Sequence, residues 1–154
     1  LAFHGVPAGH EFTSFVLGLY NAAGPGQSAD EDVLRDMAAI TKPTDMKILV
    51  TLSCTMCPDL VAAAQRIAAA NPKVSAHVYD IRHFEDLKSR YNVMSVPCMV
   101  IDDRDVHFGK KTIQQILQIW QKKLLRLKLQ VLILFIATLW TAFSCPTSAL
   151  AQES

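Results

Sequence analysis

The 154-residue sequence predicts an α/β fold, a mixed β-sheet flanked by helices. Three observations carry that prediction. From residue 46 onward the apolar pattern alternates strand-like and helix-like stretches in the order β-α-β-α-β-β-α. A Cys-x-x-Cys pair, Cys54-Thr55-Met56-Cys57, falls at the junction of the first strand and the first helix of that series. Val96-Pro97 stands where a later strand should begin. Together they outline a dithiol at a helix start, and thiol–disulfide exchange becomes the leading chemistry.

Residues 1–10 read as a short strand running into a Gly/Pro turn. Phe12, Phe15, Val16, Leu19 and Tyr20 are spaced as one face of a helix over 11–22. Gly24 to Ser28 is a linker, and Asp30-Glu31-Asp32 opens a second helix, with acid where the dipole favours it. That helix presents Val33, Leu34, Met37 and Ile40 and should end near Thr41, because Pro43 disfavours helix in the residue before it. Met46 to Leu52 is a nearly continuous apolar run, as expected of a buried central strand. Residues 57–70 form a helix: Pro58 sits in its first turn, where a missing N–H costs nothing, and Asn71-Pro72 stops it. Leu60, Val61, Ala64, Ile67 and Ala68 supply its buried stripe. From Val74 to Tyr79 the chain alternates, with Val74, Ala76 and Val78 on one face and Ser75, His77 and Tyr79 on the other. A short helix over 84–91 follows. Strands 97–101 and 106–108 then flank the polar turn Asp102-Asp103-Arg104-Asp105. A last helix starts near Thr112 with Ile113, Ile116, Leu117 and Trp120.

The length suits one ordinary domain, and 51% hydrophobic residues suffice for a packed core. A net charge of +1 gives no reason to expect nucleic acid as a partner. Four cysteines, at 54, 57, 98 and 145, are too few for a disulfide-stapled mini-protein, so one close pair points to redox or metal chemistry. The chain begins at Leu1 without a recognisable N-terminal signal peptide, as expected of a fragment or processed product.

A thiolate attacks a disulfide, and a helix N-terminus lowers a cysteine pKa by setting partial positive charge beside it. Cys54, just before the helix, is therefore the expected attacking sulfur, and Cys57 is placed to resolve the mixed disulfide. Thr55 and Met56 between them are uncharged and add no strong electrostatic push. The competing reading is a zinc half-site. It needs two more ligands; Cys98 is single, and His4/His10 and His77/His83 are each six apart, so no metal site is expected. The motif order is similar to that of thioredoxin-like folds, and the likeness implies that Pro97 is a cis proline facing the dithiol, with the preceding backbone pairing to substrate; the bland alternative is a trans proline at a strand start. Cys98 reads as a small core hydrophobe or as a third, regulatory thiol.

With these residues in hand, the chain resembles the N-terminal domain of the flavoprotein component of bacterial alkyl hydroperoxide reductase. The resemblance rests on Phe3-x-Gly5-x-Pro7-x-Gly9-His10-Glu11-Phe12-Thr13-Ser14 and on Leu52-Ser53-Cys54-x-x-Cys57-Pro58-Asp59, with Asn71-Pro72, Val96-Pro97 and the closing helix, over residues 1–120. It implies a thioredoxin-like fold for 44–120, preceded by the remnant of a second thioredoxin-like unit over 1–43. In that family the first unit has lost its cysteines, and the second takes electrons from the flavoprotein's own dithiol, fed by NADH and FAD, and passes them to a peroxiredoxin. The resemblance implies Cys54 as the interchange nucleophile and Cys57 as its resolving partner. It also implies that Glu11, from the first unit, lies near the dithiol and tunes it; the plainer account of Glu11 is an acid in a helix first turn. No Gly-x-Gly-x-x-Gly fingerprint follows, so no bound cofactor is expected, and electrons are expected from a flavoprotein disulfide reductase in trans or from a part that is missing.

Residues 121–154 depart from the family. Lys122, Lys123, Arg126 and Lys128 precede an uncharged stretch, 129–152. It reads as a transmembrane helix that would anchor the dithiol domain on the cytoplasmic side. The small residues Thr147 to Ala151 also fit a signal-like segment or a fusion scar, and a helix packed on the domain is the third reading. The function expected from all this is thiol–disulfide oxidoreduction in the cytoplasm, passing electrons to a peroxiredoxin. The alternatives are a general protein-disulfide oxidoreductase tethered to a membrane and a non-catalytic docking fragment.

Overall fold

The computed structural model describes residues 1–143, with side chains to residue 138. Its contacts divide the chain into a first unit, Leu1–Leu117, and a second that begins at Gln118. Residues 1–43 and 44–117 both lie in the first unit.

The first unit is built on a five-stranded sheet in the order β1-β3-β2-β4-β5. The strands are β1 (Ala2–His4), β2 (Thr44–Val50), β3 (Val74–Asp80), β4 (Cys98–Ile101) and β5 (Asp105–Phe108). β3 lies between β1 and β2 and is parallel to both, in the register Thr44↔Val74 through Val50↔Asp80 with β2. β4 is antiparallel to β2, Leu49 facing Cys98, and forms a hairpin with β5. Asp102 and Asp103 take φ of +52° and +57° in the hairpin turn, a conformation that Asp tolerates through local side-chain bonding. Residues 1–43 lend β1 to the edge of this same sheet.

The helices are α1 (Glu11–Ala23), α2 (Glu31–Ala38), α3 (Cys57–Ala70), α4 (Glu85–Arg90) and α5 (Ile113–Phe143). α3 has the bounds that Pro58 and Asn71-Pro72 set. α2 stops short of Thr41, and Asn71 holds its end and the residues just past it: Asn71 Nδ2 donates to Met37 O at 2.8 Å and to Ile40 O at 3.0 Å. β2 ends at Val50 rather than Leu52, because the next residues turn. Cys54 N–H donates to Thr51 O at 3.0 Å, and Leu52 O accepts from His10 N–H at 3.3 Å. Met46, Ile48, Leu60, Val61, Ile67 and Met99 are fully buried in the core.

α1 departs most from expectation. Four of the five apolar residues expected to be buried face outward: Phe12, Val16, Leu19 and Tyr20 are 58%, 44%, 54% and 45% exposed, while Phe15 is half-buried against Phe3. The buried stripe is Glu11, Ser14, Gly18 and Asn21, and α1 packs on α3. Gly18 makes the close approach possible, since a Cβ there would stand 2.4 Å from Gln65 Oε1. Among the described residues no helix is long and apolar enough to cross a membrane. The far part of the expected span, 144–152, and with it Cys145, lies outside the described residues.

Candidate functional site

β2 delivers the chain to one end of the sheet, the 51–56 turn reverses it, and α3 begins at Cys57. Cys54 and Cys57 are joined in a disulfide, with their Cα atoms 5.5 Å apart. The two sulfurs stand in different surroundings: Cys57 is fully buried at the first position of α3, while Cys54 in the turn is half-buried. The first turn of α3 also carries Asp59, which favours the helix N-terminus but offsets part of its positive potential.

Val96 and Pro97 come to the same end. Leu49 pairs with Cys98 in antiparallel register, so the residues preceding Cys98 run alongside those following Leu49. The Val96–Pro97 peptide is cis. Pro97 is buried and Val96 half-buried, and Pro97 O accepts from Gly109 N–H at 2.8 Å. Cys98 is the free, fully buried cysteine among the described residues. It packs with Leu49, Leu87, Tyr91, Val93 and Val100, and burial pushes its thiol up to about 11, so at neutral pH it stays a thiol in an apolar cluster.

Glu11 opens α1 with no solvent exposure. The Ser14 hydroxyl donates to its Oε2, and its Oε1 is buried without a hydrogen-bond partner. Burial raises its pKa above the ordinary carboxyl value, with the Ser14 bond opposing. The segment just before it is locked to the dithiol turn. Gly9 has φ +57°, a Cβ there would lie 2.6 Å from Leu52 O, and His10 N–H donates to that same oxygen.

Sequence reasoning missed a second buried carboxyl at this end of the sheet. Asp80, paired with Val50 in register, has no exposure. The Arg82 guanidinium grips it, with Nη2–Oδ2 at 2.8 Å and Nε–Oδ1 at 3.1 Å, and Arg82 N–H donates to Oδ1 at 3.1 Å. Those bonds hold its pKa below the usual carboxylate value. The Asp-x-Arg run at the end of an alternating strand was the available signal. Among the described residues no group of three or more His, Cys, Asp or Glu side chains is placed to hold a metal ion.

A disulfide across Cys-x-x-Cys at the head of a helix, carried on a sheet of this order, places the chain among disulfide oxidoreductases of thioredoxin-like fold. A profile of the thioredoxin domain matches residues 44–121, and the chain belongs to that family. The F component of alkyl hydroperoxide reductase (AhpF) from Pseudomonas aeruginosa is 33% identical over 117 residues, 76% of this chain and 22% of that protein. A protein named NADH dehydrogenase from Ferdinandcohnia aciditolerans is 32% identical over the same shares. The chain thus spans about a fifth of the length of the curated relatives it matches. Among solved structures, an N-terminal domain of the alkylhydroperoxide reductase AhpF from Enterococcus faecalis superposes with TM-score 0.72 at 43% identity, over 75% of this chain and 56% of that one. A protein disulfide oxidoreductase from Aeropyrum pernix shares the fold, with TM-score 0.69 at 23% identity, over 75% and 52%. The chain is therefore a thiol–disulfide oxidoreductase of thioredoxin-like fold, related to the N-terminal region of AhpF.

Proposed function

We propose that the chain is an electron carrier in peroxide detoxification: its dithiol reduces a disulfide in a peroxiredoxin and is itself reduced by a flavoprotein disulfide reductase, in the cytoplasm. The observation that carries the reading is the unequal burial of the two sulfurs at the head of α3. Cys54, the more accessible, attacks as thiolate. Its sulfur bonds to one sulfur of the partner's disulfide, and the other leaves as a thiolate. Cys57 then gives up its proton and attacks the Cys54 sulfur. The mixed disulfide breaks, the partner departs with both cysteines reduced, and Cys54–Cys57 is oxidised. Two electrons have moved to the partner. A dithiol on the flavoprotein restores the pair by the same exchange run in the opposite sense.

Val96 and Pro97 are read as the substrate-binding edge, where an extended partner segment lies beside the dithiol. Glu11 is read as the group that tunes Cys57. The lock between His10 and Leu52, the orphaned Oε1 and the raised carboxyl pKa support that role. The family likeness to AhpF favours a peroxiredoxin over a general protein-disulfide oxidoreductase.

The test is a redox equilibrium of the Cys54–Cys57 pair against glutathione or dithiothreitol buffers, read by thiol alkylation and mass. A potential near or below about −270 mV, as in thioredoxin, is expected of an electron donor. A value near about −120 mV, that of a strong oxidant, would sink the proposal and favour a disulfide-forming role.

A further inference from the structure

A cavity of about 570 Å³ opens between the outer face of α3 and the start of α5, within the first unit. It is separate from the dithiol, and nothing in the chemistry above uses it. Ala62 and Ala63 line it on the α3 side, small residues that leave the depression. Its charged lining is Arg66, Lys110 and Lys111 against Asp59, an excess of two positive charges. Lys110 Nζ lies 3.7 Å from Asp59 Oδ2. The other two cations are held by neutral carbonyls: Arg66 Nε donates to Gln27 O at 2.9 Å, and Lys111 Nζ donates to Phe108 O at 3.0 Å. Each bond uses one donor of a group that has several. The first turn of α5 is squared off by a capping box. Thr112 N–H donates to Gln115 Oε1 at 2.9 Å, and Gln115 N–H donates to Thr112 Oγ1 at 3.2 Å. The amides of that turn add partial positive charge to the same wall.

The charge is spread rather than convergent. Asp59 and Arg66 lie on one side of α3, and seven residues of helix separate them by about 10 Å. That span matches about three residues of extended chain, and it starts two residues from Cys57. A single phosphate or carboxylate would engage only part of it. We propose that this cavity docks an acidic, extended segment of the protein whose disulfide the Cys54–Cys57 pair exchanges with. The proposal rests on the thiol–disulfide reading given above and names what recognises the partner. Asp59 holds Lys110 while the cavity is empty and yields it to an incoming carboxylate, so neutral segments gain nothing from displacing it.

The test uses the full chain in its oxidised state and a fluorescein-labelled Asp/Glu hexapeptide, with its Asn/Gln counterpart as reference, read by anisotropy. The acidic peptide binds, its affinity falls with salt, and the neutral one binds at least about tenfold more weakly. Lys110→Gln with Lys111→Gln weakens the acidic peptide about tenfold, the product of two exposed ion pairs. Asp59→Asn strengthens it. Equal binding of the two peptides, no binding of either, or indifference to the lysine pair overturns the proposal. So does displacement of the peptide by an equimolar amount of inorganic phosphate, which marks a small-anion site. Exchange of a disulfide-bearing acidic peptide by the reduced chain separates the two readings. Binding without exchange sinks the redox reading and leaves the docking surface; exchange without acidic preference sinks the docking surface alone.

Discussion

Replacing Gly9 with alanine asks whether the turn before α1 is what fixes the dithiol loop. Gly9 sits at φ +57°, a region that costs an L-residue about 1–2 kcal/mol. A Cβ added there would stand 2.6 Å from Leu52 O, a backbone atom that no side-chain rotation can move aside. Relieving the overlap must shift either the 5–10 segment or the 51–54 turn, and overpacking of this kind costs about 1–3 kcal/mol. Together the two predict a loss of about 2–5 kcal/mol, a large fraction of the stability of an ordinary domain. Urea unfolding of the oxidised protein, extrapolated to water, measures it. Gly9→Asn separates the parts. Asn tolerates positive φ but carries the same Cβ, so it should recover the backbone share and leave the collision with Leu52. A Gly9→Ala cost below about 0.5 kcal/mol, or full recovery with Asn, would refute the claim that contact with the Leu52 carbonyl defines this turn. Because Leu52 stands two residues before Cys54, the same variant should shift the redox equilibrium of the Cys54–Cys57 pair.

The α1–α3 contact gives a second case: Gly18→Ala gains about 0.5–1 kcal/mol of helix propensity but makes the buried end of the Gln65 side chain turn aside, so a net loss of at most about 2 kcal/mol is expected. Gln65→Ala in the same chain should recover much of it, a coupling of about 0.5–3 kcal/mol in a double-mutant cycle; purely additive losses would argue against the contact. For Glu11→Gln the sign follows from a folded pKa raised by burial. The ionisation penalty is absent below the unfolded value near 4.5 and grows as pH rises through the higher folded value, so the variant should match the parent near pH 4 and exceed it in melting temperature at pH 8. A gap equal at both pH values would speak against it. Asp80→Asn has the opposite sense: Arg82 lowers the folded pKa, so the carboxylate stabilises above about pH 3.8 and that contribution is lost as pH falls through the lower folded value. The variant should melt lower at pH 7, with the difference closing toward pH 3; a constant difference would show that the ion pair is not its source.

Much of the framework was legible because local and global signals agreed. The bounds of α3 follow from Pro58 at one end and Asn71-Pro72 at the other, and the alternation of β3 follows from which of its side chains meet the core. α1 was legible as a helix but not in its orientation. Periodicity identifies an apolar stripe, and which side is buried depends on the partner. Here the partner is α3, which α1 meets through Glu11, Ser14, Gly18 and Asn21. Asn21 is drawn inward by a pair of bonds to the linker: Asn21 Nδ2 donates to Gln27 Oε1 at 3.0 Å, and Gln27 N–H donates to Asn21 Oδ1 at 2.7 Å. Of the candidate site, Cys54 and Cys57 could be placed from spacing, whereas the cis form of Val96–Pro97 was one of two readings and came from the thioredoxin-like motif order. Asp80 could not, since its role depends on β3 ending beside β2, a fact of sheet order rather than of sequence distance.

Glu11 and Asp80 differ in a way that bears on the chemistry. Both are fully buried, one in the helix tied by His10 to the turn before Cys54, the other at the end of β3 opposite the last residue of β2. Their surroundings push their proton affinities in opposite directions. Arg82 fixes Asp80 as a carboxylate, so over the neutral range it neither donates nor accepts a proton and serves as a fixed negative charge. Glu11 is held by a hydroxyl, that of Ser14, rather than by a cation. Burial shifts it toward its neutral form relative to an ordinary carboxyl, with the Ser14 bond opposing. Cys98, pushed up to about 11, holds its proton throughout. Separating the groups in this way leaves Asp80, gripped by Arg82, as the charged anchor at that end of the sheet, and Glu11 as the buried carboxyl that favours its neutral form.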